Sequence, residues 1–199
     1  MGSSALRLRE NWQRNGGANA TIAEHTFYEV FSKSFIGTNY RVRPKPIEFN
    51  KIYTTVELSE KTLSEIYNPE GRIDRHGISP DYAISNIVTG KTLYVEVKRQ
   101  DGWVENKPRS AGRGNAHERS CKYFTPGLLA ILQEKGKIAA PALPFWTVFQ
   151  GDTARDPCRV REITCWYAEY TAHFFFWRDN TNANPILDHF AEKLSPLLD

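Results

Sequence analysis

Asp81, Glu96 and Lys98 are the residues of this chain whose types and spacing can do chemistry together. Glu96-Val97-Lys98 closes a run, Lys91 to Lys98, in which Leu93, Val95 and Val97 alternate with Tyr94, Glu96 and Lys98. Alternation of period two predicts a strand. Residues two apart on a strand face the same side, so Glu96 and Lys98 stand side by side, opposite the valines. Ala83 to Asn86 predicts a second strand across the turn-prone Val88-Thr89-Gly90, and Pro80-Asp81 enters it. Two carboxylates converging on one point need a counter-charge, which an oxygen-seeking divalent cation such as Mg2+ supplies. The competing reading makes Glu96 and Lys98 an ion pair on a solvated strand face.

A second segment, just beyond this strand pair, strengthens the chemical reading. Gly114-Asn115-Ala116-His117-Glu118-Arg119 predicts the opening of a helix that carries side chains able to read base edges. Asn can bridge an adenine, Glu can accept from an exocyclic amine and Arg can donate to purine acceptors.

On these residues the chain resembles the PD-(D/E)xK nucleases, whose signature is matched by Pro80-Asp81 with Glu96-Val97-Lys98. The segment from Gly114 to Ser120 resembles the recognition segment of the EcoRI-like branch. Within that branch the chain is similar to the MunI/MfeI group of type II restriction endonucleases, through Lys98 to Glu105, Ser110 to Cys121, Arg155-Asp156-Pro157 and Arg159 to Thr164. The likeness runs from Asn11-Trp12 to Leu198-Asp199.

The resemblance implies a Mg2+-dependent endonuclease that cuts double-stranded DNA at the palindrome CAATTG, after the first C. It implies 5′-phosphate ends with AATT overhangs. Asp81, Glu96 and the Val97 carbonyl would hold the metal, with Lys98 as the catalytic lysine. Arg113 would read the outer base pair, and the segment with Gly114, Asn115, Ala116, Glu118 and Arg119 the inner four. A homodimer is expected, because one copy carries one metal site and two-fold symmetry supplies the second cut. The helix beginning near Ala116 is a candidate interface. Two other classes remain: a structure-specific resolvase or repair nuclease with the same metal site but no base-reading segment, and a DNA-binding module with no use for Lys98.

The 199 residues fit one domain, with hydrophobic and charged contents, 40% and 25%, ordinary for a globular chain. A net charge of +3 is compatible with a polyanion and no argument for one. No apolar run approaches the roughly eighteen residues of a membrane span, and no signal-peptide pattern opens the chain, so a cytoplasmic protein is expected. Cys121, Cys158 and Cys165 have no CxxC spacing and read as small buried hydrophobes rather than zinc ligands.

The elements that must position these residues make one α/β domain, a central mixed sheet flanked by helices. Residues 1–20 predict an arm with little regular structure. Thr21 and Glu24 form a capping box for a helix with Phe27, Val30, Phe31 and Phe35 inward, ending at Gly37; Glu24 could otherwise approach the metal. Edge-strand pieces are expected at Tyr40 to Val42 and Tyr53 to Leu58. A short helix capped by Ser59 comes next, and then a loop from Glu70 to Ser79. Asp101 to Gly112 reads as a long binding loop, and Asn115 as the cap of the next helix. Further helices start at Thr125-Pro126, ending at Gly136, and at Asp156-Pro157. Phe145 to Phe149 predicts a strand beside the catalytic one, His173 to Trp177 another, and Pro185 to Leu198 a closing helix.

Overall fold

The alternation around Glu96 becomes β3 (Thr92–Gln100), the central strand of a five-stranded sheet with order β1-β2-β3-β4-β5. The computed structural model describes residues 26–67, 73–102 and 117–199. β1 (Tyr40–Pro44) and β2 (Tyr82–Asn86) run antiparallel through the hairpin to β3. β4 (Phe145–Gly151) and β5 (Phe174–Trp177) continue the sheet in parallel. The expected mixed sheet is therefore a hairpin half joined to a crossover half. Parallel neighbours need long connections, and these carry α3 (Pro126–Gly136) and α4 (Pro157–Tyr167).

Helices cover both faces. Phe27 and Phe31 of α1 (26–34) stack at 4.5 Å and meet Leu93, Val95, Val97, Trp146 and Val148. Ile186, Phe190, Leu194 and Leu198 of the C-terminal helices join the same layer. On the other face Tyr94, Phe145 and Phe149 pack against Tyr123, Leu128, Leu132, Ile163 and Tyr167. The valines of β3 are thus committed to one layer, and Glu96 and Lys98 emerge on the face of the other.

The loop that delivers Asp81 depends on a close backbone approach. A Cβ at Gly77 would lie 1.8 Å from the Phe49 carbonyl oxygen, so a side chain there would push the loop away from residues 47–49. Ile78 donates its N–H to that same carbonyl at 3.3 Å.

Four expectations need correction. Tyr53 to Leu58 is not a strand: the chain turns through Lys51 to Thr55, where the Thr54 and Thr55 hydroxyls donate to the carbonyls of Lys51 and Ile52. Hydroxyls that satisfy nearby carbonyls compete with a sheet ladder. The segment after His117 is a 3-10 helix, Glu118–Phe124, cut short because Pro126 forces Thr125 into extended backbone. The closing helix is broken into α5 (Asn184–His189), a π-helical turn (Phe190–Leu194) and α6 (Ser195–Leu198). Pro196 has no N–H to donate one turn back, and a wider turn precedes it. Of the cysteines, Cys121 and Cys158 are half-buried and Cys165 is exposed, with none in a disulfide.

Other readings hold. Ser59 caps α2 (Glu60–Glu65) by accepting from the Thr62 N–H at 3.2 Å. β1 is an edge strand ending at Pro44, and β4 lies beside β3. The arm, Thr21 and Glu24, most of the 101–112 loop, and Arg113 to Ala116 with the Asn115 cap lie outside the described residues.

Candidate active site

Asp81 and Glu96 come together at the point where β2 begins. The register pairs Tyr82 with Val95, so residues preceding Tyr82 lie beside Val97. There the Asp81 side chain takes over the ladder: its Oδ2 accepts the Val97 N–H at 2.8 Å. The N–H and C=O of one strand residue point the same way, which directs the Val97 carbonyl to the Asp81 side of the strand.

Glu96 is 5% exposed and Asp81 6%, so the solvated-face alternative fails. Lys98 lies between them, with Nζ in direct contact with Glu96 Oε1 and 3.9 Å from Asp81 Oδ2. An ion pair this enclosed is worth little as a stabiliser, because desolvating both charges offsets their attraction. Its residue types are those of a candidate reacting site.

Two residues complete the constellation that sequence reasoning missed. Lys45 Nζ donates to Asp81 Oδ1 at 2.7 Å, and the Lys45 N–H donates to the Asp81 carbonyl at 2.9 Å. Its backbone has φ of 43°, a conformation costly for a side chain with a Cβ. The Tyr123 hydroxyl donates to Glu96 Oε2 at 2.8 Å. Burial first, and then the Glu96 charge and this bond, push the Tyr123 phenol far above its ordinary value, so it acts as the donor. No periodic signal could have found either contact, because the partners lie 36 and 27 positions apart in the chain.

The four charged groups, Asp81, Glu96, Lys45 and Lys98, sum to zero. The group the sequence singled out, two carboxylates with one lysine, carries −1. Among the described residues no three His, Cys, Asp or Glu side chains cluster as ligands. Two carboxylates and a neighbouring carbonyl form an oxygen-only donor set, which suits a hard cation that keeps waters of its own.

The 3-10 turn after His117 is anchored from below. The His117 ring is buried and stacks on Trp166 at 5.5 Å, and its Nε2 lies 3.2 Å from Glu162 Oε2, which also accepts from Arg159 Nη1 at 2.5 Å. Burial, followed by the nearby Arg159 charge, lowers the His117 pKa. The neutral ring donates from Nε2 to a carboxylate that can only accept. Ser120 is buried, with Oγ donating to the His117 carbonyl at 2.8 Å. Glu118 and Arg119 face outward from this base.

Comparison with known proteins matches this chain to a family. The MunI type II restriction enzyme family matches residues 1–199. A relative, "Type II restriction enzyme MunI" from Mycoplasma sp, is 50% identical over 202 residues and covers 100% of both chains. This chain belongs to that family. It is therefore a type II restriction enzyme, a site-specific deoxyribonuclease. The crystal structure of MunI restriction endonuclease in complex with cognate DNA is similar with a TM-score of 0.81 and 49% identity, over 95% of this chain and 98% of that one. Restriction endonucleases generally use a divalent metal, and the oxygen donors at Asp81 and Glu96 fit one.

Proposed function

We propose that this chain is a Mg2+-dependent endonuclease that cuts both DNA strands at CAATTG, after the first C, and acts as a homodimer in the cytoplasm. The products would carry 5′-phosphate ends with AATT overhangs. The observation that carries this reading is the buried grouping of Asp81 and Glu96 around the Lys98 ammonium.

Asp81, Glu96 and the Val97 carbonyl would hold the cation. When bound, Mg2+ supplies Lewis acidity toward the scissile phosphate and acidifies a water. The protein groups do the rest. The Val97 N–H fixes Asp81 through Oδ2, and the Tyr123 hydroxyl fixes Glu96 through Oε2. Lys98, with a side chain 16% exposed, orients the attacking water and offsets the negative charge that grows on the phosphoryl oxygens. Positioned charge of this kind acts without reorganisation during the reaction.

Arg113 is assigned to the guanine of the outer pair, and Gly114, Asn115, Ala116, Glu118 and Arg119 to the inner AATT. The exposed Glu118 and Arg119, held on a buried base, support this assignment. DNA as the partner is supported by the cognate complex of the MunI relative. Two-fold symmetry supports the dimer, since each copy offers one such site.

The test is digestion of a plasmid carrying one CAATTG site, with Mg2+, together with end-sequencing and sedimentation of the enzyme with and without DNA. Full-length linear product with AATT overhangs is expected from a dimer. GAATTC ends, a smear or an active monomer would overturn the reading.

A further inference from the structure

The 3-10 turn Glu118–Phe124 touches both halves of the proposed machinery. At its start Glu118 and Arg119 face outward, and at its far end Tyr123 reaches under the sheet to Glu96. A 3-10 helix rises about 2 Å per residue, so the four steps from Arg119 to Tyr123 span roughly 8 Å. The turn is anchored on its inner side, where Ser120 and Tyr123 are buried. His117 is stacked on Trp166 at one end, and the Tyr123 ring lies 5.3 Å from Phe145 at the other. The packing at its two ends gives a displacement of the outward residues a route to Tyr123, because close-packed side chains transmit strain.

Glu96 is gripped on both oxygens, by Lys98 at Oε1 and by Tyr123 at Oε2. The Tyr123 bond is the one of these two that comes from the DNA-facing segment. The carboxylate is 5% exposed, so water cannot readily replace the phenol if it leaves.

We propose that Tyr123 is a positioning residue that couples base recognition to the metal site, by turning Glu96 into its metal-holding orientation when the 118–124 turn engages the correct bases. This rests on the functional reading above and deepens it. Coupling between two ligands is reciprocal. Cognate DNA then raises metal affinity through Tyr123, and metal raises cognate affinity by the same factor. A non-cognate sequence engages the turn incorrectly and leaves Glu96 out of place.

The experiment uses the full-length chain and Ca2+, a cation that occupies oxygen sites while usually leaving the DNA uncut. Ca2+ affinity is measured by calorimetry for the free enzyme and for its complexes with the sequence it cuts and with a scrambled one. Cognate and scrambled DNA affinities are then measured in EDTA and in Ca2+ at fixed salt. Tyr123→Phe removes the hydroxyl and keeps the ring packing. Tyr94→Phe is the control, because it also removes a hydroxyl from this layer, one bonded to Glu48 rather than to Glu96.

The expected result is that the cognate-specific gain in Ca2+ affinity falls about tenfold in Tyr123→Phe and is unchanged in Tyr94→Phe. Cognate affinity in EDTA stays near that of the unmodified enzyme. A merely structural Tyr123 would weaken Ca2+ binding equally with and without cognate DNA, and that outcome overturns the proposal. So does an equal loss in Tyr94→Phe, which would mean general loosening. An unmodified enzyme that cuts specifically but shows no such coupling also overturns it, leaving the nuclease reading intact; absence of specific cutting would instead remove the reading on which it rests.

Discussion

Lys45→Ala tests whether the second lysine competes with the metal for Asp81. Its ammonium lies 2.7 Å from Asp81 Oδ1, with the lysine side chain 55% exposed and the carboxylate 8%. Two unit charges at that separation interact by about 1.5 kcal/mol in bulk water and about 6 kcal/mol at an effective dielectric of about 20. The exposed lysine places the pair near the lower figure. A dication must displace this ammonium before it can use Oδ1, so the contact opposes metal binding by about 1.5 kcal/mol, or about tenfold in affinity. Removing the ammonium also changes the formal charge of the group from zero to −1, which acts in the same direction. Calorimetric titration of the DNA-free protein with Ca2+ should give a dissociation constant about tenfold lower in Lys45→Ala, with a parallel fall in the Mg2+ concentration needed for half-maximal cleavage. Unchanged or weaker metal binding would refute the competition. Loss of cleavage at saturating Mg2+ would assign Lys45 to the phosphate instead.

Lys98→Ala should lower the cleavage rate by about 100- to 1,000-fold while cognate DNA still binds, because transition-state charge stabilisation is what it removes; a gel shift run beside a cleavage assay checks both. Arg113→Ala should lose preference at the outer base pair, roughly 1–3 kcal/mol, and keep discrimination among the inner four, as measured by competition between substituted sites. Lys45→Gly should be more stable to urea than Lys45→Ala by roughly 1 kcal/mol, because glycine accepts the positive φ. Burial pulls the His173 imidazole down to about 4, against the Phe145 carbonyl that accepts from Nδ1 and raises it. A histidine depressed in the folded state adds stability above its unfolded value, near pH 6.5, and that stability is lost as pH falls toward 4. The loss should be about 3 kcal/mol, and His173→Asn should narrow the difference between urea midpoints at pH 7 and pH 4.5.

Local chemistry made much of this protein legible in its residue order. Period-two alternation from Leu93 to Lys98 was enough to put Glu96 and Lys98 on one face, because a strand's geometry ties sidedness to position alone. Ser59 as a cap and Pro126 and Pro157 at helix starts are equally local, since each acts on backbone groups within one turn. The same local logic misread Tyr53 to Leu58, where β-branched and aromatic residues looked strand-like but hydroxyl bonds to nearby carbonyls turned the chain. Only the tertiary structure decided what surrounds the carboxylates. Lys45 reaches Asp81 from just past the C-terminal end of β1 through a positive φ, and Tyr123 reaches Glu96 from the crossover to β4. Such contacts join positions whose separation has no period and whose side chains have no distinctive local pattern, so they exist only once the sheet has assembled. The burial that separates Glu96 and Lys98 from a solvated acid-x-Lys strand face is likewise a property of the packed layer.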